Sequence, residues 1–125
     1  MLLYIESVHA GFPSPADDYI EQQLDFNDYL VKHPAATFCV KVTGDSMTGA
    51  GIYPGDILVV DRSLTAKNNS IVIAVISGDF TVKRIQFRSN GVYLMPENPS
   101  YNSICVNGES FEVWGVVTYV IHQAR

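Results

Sequence analysis

The sequence predicts a mainly β protein in which antiparallel strands form folded sheets or a partly closed barrel, with an extended N-terminal arm and a short helical segment. From residue 37 onward the chain consists of short runs rich in Val, Ile, Tyr and Phe, separated by turn residues. The chain has 125 residues, and at roughly 150 residues per domain this length suits one domain with its own core. We expect an arm over residues 1–15 and a folded domain over residues 16–125.

The arm is predicted from residues 11–15, where two prolines and a glycine prevent a regular element from continuing. Ser14, followed by a proline, is a typical helix start because its hydroxyl can cap the first turn. Apolar residues between 16 and 33 have a loose helical spacing that polar residues interrupt. This pattern predicts one broken helix or two short ones, ending before the proline at position 34.

Six strands are predicted after the helical segment from their β-branched and aromatic content. They cover residues 37–42, 56–61, 70–76, 80–87, 92–95 and 111–121. Residues 77–79 (Ser-Gly-Asp) are typical of a tight hairpin turn.

Composition and charge exclude several classes of function. The net charge is −5. A negative charge disfavours binding to a polyanion, so we expect no direct DNA binding. Cys39 and Cys105 are far apart and lack a ligand pattern, which predicts free thiols in apolar packing, with no disulfide and no zinc site. We also expect no cofactor. The longest apolar run, residues 71–76, is too short for a membrane span, and we expect a cytoplasmic protein.

The polar, glycine-rich segment 42–56 lies between two apolar strands and is the first candidate for a chemical site. Glycines allow the backbone to approach another group closely. Ser46 on such a turn could be an exposed nucleophile, with its own N–H and that of a neighbour as oxyanion donors. The alternative is a long loop in which Ser46 only caps a turn.

A serine nucleophile needs a base, and the sequence offers histidine or lysine. His9, His33 and His122 have no distinctive local motif, although the members of a triad meet in space rather than in sequence. The strand over residues 80–87 alternates so that Thr81, Lys83, Ile85 and Phe87 share one face.

If that face is buried, desolvation lowers the pKa of Lys83 and makes it a candidate general base. Thr81 could accept a hydrogen bond from the lysine and orient its lone pair. The alternatives are that Lys83 extends its ammonium group to water and that Thr81 is only a strand former.

Several motifs, in this order along the chain, resemble UmuD-type proteins of the SOS response, in the LexA/UmuD family of self-cleaving serine-lysine peptidases. The similarity runs from Gly11 to the C-terminus. The motifs that carry it are residues 10–16 (Ala-Gly-Phe-Pro-Ser-Pro-Ala), 44–47 (Gly-Asp-Ser-Met), 54–61 (Pro-Gly-Asp-Ile-Leu-Val-Val-Asp), 80–84 (Phe-Thr-Val-Lys-Arg) and 114–117 (Trp-Gly-Val-Val).

This resemblance implies a LexA-like peptidase fold and a role for each matching residue. Ser46 would be the nucleophile, Lys83 the general base and Ala10–Gly11 the bond cut, with the amides of Asp45 and Ser46 as the oxyanion hole. It also implies a homodimer whose cleavage is stimulated by a RecA filament on single-stranded DNA. The processed form would be the subunit of an error-prone translesion polymerase with a UmuC-like, Y-family partner.

Two other interpretations remain open. The chain could be a non-catalytic, dimeric interaction subunit of the same fold, or the cleavable C-terminal domain of a LexA-type or phage-type repressor. The ten residues before Gly11 are too few for a helix-turn-helix, which disfavours the repressor.

Overall fold

The computed structural model of the chain describes residues 2–5, 10–11, 21–107 and 110–124. The chain divides into two compact units, Met1–Lys32 and His33–Arg125. The predicted helix start at Ser14 lies outside the described residues. The predicted boundary between arm and folded domain, after residue 15, also lies outside them and stays a prediction.

The first unit contains a two-stranded antiparallel sheet of β1 (Leu2–Ile5) and β2 (Glu21–Leu24), followed by the short helix α1 (Phe26–Leu30). Asp25 separates strand from helix because its backbone is extended and its carboxylate accepts the Asn27 N–H at 2.9 Å. The helix predicted from this spacing was therefore wrong over β2, which is a strand. Spacing along one segment cannot reveal that a distant strand supplies backbone partners.

The second unit is built on one seven-stranded antiparallel sheet. Its strands are β3 (Thr37–Lys41), β4 (Ile57–Asp61), β5 (Ile71–Ile76), β6 (Asp79–Arg88), β7 (Gly91–Met95), β8 (Ile104–Cys105) and β9 (Phe111–Ile121). Their order across the sheet is β3-β4-β9-β5-β6-β7-β8, so the last strand of the chain lies near the centre. The mainly β, antiparallel fold is confirmed, and the sheet is not closed into a barrel.

All six predicted strands are present, with ends that differ by one residue at most. The hairpin between β5 and β6 is also confirmed: Ser77 and Gly78 have φ of 49° and 87°, the left-handed pair that suits a two-residue turn. The two-residue strand β8 was missed because so short a run carries no alternation. A 3₁₀ turn over Pro34–Ala36 leads into β3.

The centre of the sheet buries apolar side chains on both faces. Val72 and Ala74 of β5 belong to one cluster and Ile73 to the other, as expected when successive side chains point to opposite faces. The cluster around Ile73 contains buried residues from β4 and from the segment between β3 and β4: Val42, Met47, Ile52, Leu58 and Val60. Met47, beside Ser46, is 1% exposed and anchors the glycine-rich turn to the core.

Candidate functional site

A cleft of about 630 Å³ opens beside the glycine-rich turn. Its walls are formed by residues 40–47, by residues 80–83 at the start of β6, and by Leu58, Ile73, Tyr101 and Trp114. Trp114 lies at an irregularity of β9, where β5 pairs Ile73 with Gly115 but Ala74 with Val113. Such a bulge re-aims a side chain, and here the indole lines the cleft.

The structure brings three of the predicted site residues together in this cleft. The Nζ of Lys83 lies 3.1 Å from the Oγ of Ser46 and 2.6 Å from the Oγ1 of Thr81. It also lies 3.1 Å from the carbonyl oxygen of Val82. A carbonyl can only accept, so the amine must donate to Val82, and Thr81 accepts a second proton. A neutral amine in this geometry directs its lone pair at the Ser46 hydroxyl.

Lys83 is 7% exposed, so of the two alternatives left open for its side chain the structure has the buried one. Within the described residues it forms no ion pair, and its polar partners are uncharged oxygens. Burial therefore lowers the pKa of Lys83, because desolvation disfavours the charged ammonium. Phe87 is 47% exposed near the C-terminal end of β6, so this face of the strand is not buried along its whole length.

The amides of Asp45 and Ser46 remain available as hydrogen-bond donors. In the part of the chain that the structure describes, neither N–H donates to another residue. The carbonyl groups flanking Ser46 are both held: Asn98 donates from Nδ2 to the Asp45 oxygen at 2.9 Å, and the Glu97 N–H donates to the Ser46 oxygen at 2.8 Å. The turn can thus present free N–H groups without being loose.

Sequence analysis missed the 96–101 loop, which supplies these contacts. Besides Glu97 and Asn98, the Tyr101 hydroxyl donates to the Asp45 carboxylate. That bond raises the pKa of Tyr101, since the carboxylate disfavours a phenolate. The loop contains Pro96, Asn98 and Pro99, residues that predict a turn. A turn signal alone does not say which segment the turn contacts.

The histidines that were alternative bases lie elsewhere. His33 Nδ1 is 2.5 Å from the Asp61 carboxylate, and His122 Nδ1 is 2.6 Å from the Asp56 carboxylate. Neither histidine lines the cleft. His9 lies outside the described residues. Of the described candidates, only Lys83 contacts Ser46.

Ala10 and Gly11 are exposed and belong to the first unit. A Cβ added to Gly11 would meet no atom within 4 Å. Their role as the bond that is cut remains a prediction.

The predicted apolar packing of Cys39 and Cys105 was wrong, because both thiols are free but exposed. Both lie on the strands at the two ends of the sheet, β3 and β8, where one side of the strand is open. The described residues contain no helix that is long and apolar enough to cross a membrane.

Comparison with known proteins agrees with the observed fold. Residues 3–118 match the family described as Peptidase S24-like. Protein MucA of Salmonella typhimurium is 48% identical over 118 residues, which are 93% of this chain and 80% of the relative. Protein SamA of Salmonella typhimurium strain LT2 is 46% identical over 123 residues, or 98% and 86% of the two chains.

A more distant relative is the LexA repressor of Paracidovorax citrulli, 38% identical over 122 residues, which are 97% of this chain and 54% of the repressor. The resemblance to UmuD-type proteins is therefore confirmed, and this chain belongs to the Peptidase S24-like family.

Proposed function

We propose that this chain is an SOS-response protein of the UmuD type that cuts its own Ala10–Gly11 bond with Ser46 and Lys83. The observation that carries the proposal is the 3.1 Å contact between Lys83 Nζ and Ser46 Oγ inside the cleft. A serine beside a buried lysine of lowered pKa has both the nucleophile and the base of an acyl transfer.

In the first half of the reaction, neutral Lys83 takes the Ser46 proton while Oγ attacks the Ala10 carbonyl carbon. The negative charge that develops on the carbonyl oxygen is stabilised by the N–H groups of Asp45 and Ser46. The carbon–nitrogen bond to Gly11 then breaks, and the Lys83 ammonium returns the proton to the departing amine. Thr81 orients the lysine throughout as a positioning residue.

In the second half, Lys83 removes a proton from water, which attacks the Ser46 ester. The ester breaks, the proton returns to Ser46 Oγ, and residues 1–10 leave as a peptide. No cofactor or metal is required by these steps. The product is the chain 11–125.

The charge and family support a wider role. A net charge of −5 suits contact with proteins better than contact with DNA. We infer that the chain is a cytoplasmic homodimer whose cleavage is stimulated by a RecA filament on single-stranded DNA. The processed form then serves a UmuC-like polymerase in translesion synthesis.

The test is the intact mass of wild type, Ser46→Ala and Lys83→Ala after incubation at pH 7 and pH 10. The exposed Lys67, whose side chain makes no hydrogen bond in the described structure, supplies the matched control Lys67→Ala. We expect fragment 11–125 from wild type and from Lys67→Ala at pH 10, where Lys83 is increasingly neutral, and from neither active-site variant. Adding RecA, an ATP analogue and single-stranded DNA should give the same fragment at pH 7.

If wild type stays intact under all these conditions, the chain is not a self-cleaving peptidase. The interpretation as a non-catalytic interaction subunit would then replace the proposal. Cleavage in Lys83→Ala at the wild-type rate would instead show that another group is the base.

A further inference from the structure

The 96–101 loop holds the main chain of the glycine-rich turn at three places around Ser46. Asn98 Nδ2 donates to the Asp45 carbonyl at 2.9 Å. Glu97 donates its N–H to the Ser46 carbonyl at 2.8 Å and accepts the Gly49 N–H at 2.7 Å. The loop and the turn are therefore joined by hydrogen bonds on both sides of the serine.

The contact from Asn98 has a geometric consequence for Ser46. The Asp45 carbonyl and the Ser46 N–H belong to one peptide group, which is planar and trans, so that C=O and N–H point in opposite directions. Fixing the carbonyl therefore fixes the direction of the Ser46 N–H. A donor on the carbonyl also polarises the peptide group and strengthens its N–H as a donor.

The orientation of the Asn98 side chain is itself determined by the structure. Its Oδ1 accepts the Ser100 N–H at 2.9 Å, so the amide nitrogen must face Asp45. The Tyr101 hydroxyl donates a hydrogen bond to the carboxylate of Asp45. Asp45 is thus fixed at both its backbone and its side chain.

A second link connects this loop to the strand that carries the lysine. Arg84, the residue after Lys83, donates from Nε to the Glu97 carboxylate at 2.7 Å. Glu97 in turn holds Ser46 and Gly49 through its own backbone. The loop therefore connects the serine side of the cleft with the lysine side.

We propose that Asn98 is a positioning residue that aims the Ser46 N–H at the oxyanion through its hydrogen bond to the Asp45 carbonyl. This inference rests on the proposed function, because it concerns the oxyanion formed during cleavage. It adds a residue that does not touch the reacting atoms. Substituting Asn98 should lower the rate of the chemical step and leave the pKa of Lys83 unchanged.

The experiment measures the first-order rate of self-cleavage against pH for wild type, Asn98→Ala, Asn98→Asp and the control Asn102→Ala. Asn102 lies in the same region, is exposed, and makes no hydrogen bond within the described residues. Removing a direct oxyanion donor costs ~10²–10³ in rate, and we expect about tenfold for a group that only orients the donor. Asn102→Ala should stay within about twofold of wild type.

The pH midpoint separates positioning from loss of structure. If Asn98→Ala lowers the plateau rate and leaves the midpoint in place, the burial of Lys83 is intact and the proposal holds. A midpoint that moves up shows that the cleft has opened to water, which overturns a specific role. Asn98→Asp keeps the acceptor for Ser100 but loses the donor to Asp45, so wild-type rates in that variant also overturn the proposal.

The measurement on wild type distinguishes this inference from the function on which it depends. If wild type is cleaved and both Asn98 variants are cleaved equally fast, only the positioning role fails. If wild type is never cleaved, the proposed function fails and the inference fails with it.

Discussion

The buried lysine should destabilise the fold at neutral pH, and removing its charge should stabilise the protein. The variant that tests this is Lys83→Met in a Ser46→Ala background, which prevents self-cleavage. Methionine fills a similar volume without a charge, so no large cavity forms. The expected gain arises because Lys83 is 7% exposed and has only uncharged oxygens as partners.

The gain in the free energy of unfolding is the difference between two opposing effects. Loss of the ammonium removes a desolvation penalty but also removes hydrogen bonds to Thr81 and Val82. Both of these residues are only partly buried and line the cleft, where water can replace the ammonium. We therefore expect the penalty to dominate and the free energy of unfolding to rise by about 1–2 kcal/mol at pH 7, typical of active-site residues whose removal trades activity for stability.

For a chain of 125 residues, an unfolding entropy of ~2.1 cal/mol/K per residue converts each kcal/mol into about 4 °C of Tm. The expected rise in Tm is therefore about 4–8 °C. Urea denaturation at pH 7 gives the free energy directly, and Lys67→Met in the same background is the control for an exposed lysine.

The pH dependence has a definite sign. The pKa of Lys83 is lower in the folded than in the unfolded state, so the unfolded state binds more protons between the two values. The stability of the parent therefore rises with pH across that window, and the penalty disappears above the unfolded pKa of ~10.4. The advantage of Lys83→Met should shrink from pH 7 to pH 10. A variant that is less stable than its parent at pH 7, or an advantage that is equal at both pH values, would refute this reasoning.

Three further predictions test other parts of the second unit. Thr81→Val should slow self-cleavage about tenfold at pH 10, because the lysine amine loses its 2.6 Å partner. Gly115→Ala should cost about 1–3 kcal/mol by urea denaturation, because the added Cβ would lie 2.6 Å from Cγ1 of the buried Val60. Asp61→Asn should lower the Tm by several degrees at pH 7. Hydrogen bonds from Ser63 hold the pKa of Asp61 below its usual value, so this stabilisation is lost as the pH falls below ~4. A Tm difference for Asp61→Asn that does not shrink as the pH falls below ~4 would contradict the last prediction.

The strands were predictable because each carries its own local signal. β5 is a run of six residues with five β-branched side chains, and the turn between β5 and β6 contains Gly78, which readily adopts its positive φ of 87°. Alternation along β6 also placed Lys83 on the same face as Ile85, and both are buried. In each case neighbouring residues contained the information.

The parts that could not be predicted depend on contacts between distant segments. β2 is a strand because β1 pairs with it, although its own residues do not favour a strand. The 96–101 loop reaches the glycine-rich turn across about fifty positions. The two hydrogen bonds of Glu97 to that turn use only main-chain atoms, which have no sequence signature. The proximity of Ser46 and Lys83 was expected only from the resemblance to a known family.

The two hydrogen bonds that Glu97 forms with the glycine-rich turn have a consequence for how the site tolerates mutation. They use backbone N–H and C=O groups, so any residue except proline can form them at position 97. Position 49 tolerates substitution less well, since a Cβ on Gly49 would lie 2.6 Å from the carbonyl oxygen of Glu97. Substitutions at the two positions should therefore be asymmetric: at 97 nearly all residues but proline keep these two backbone hydrogen bonds, and at 49 glycine alone is accepted.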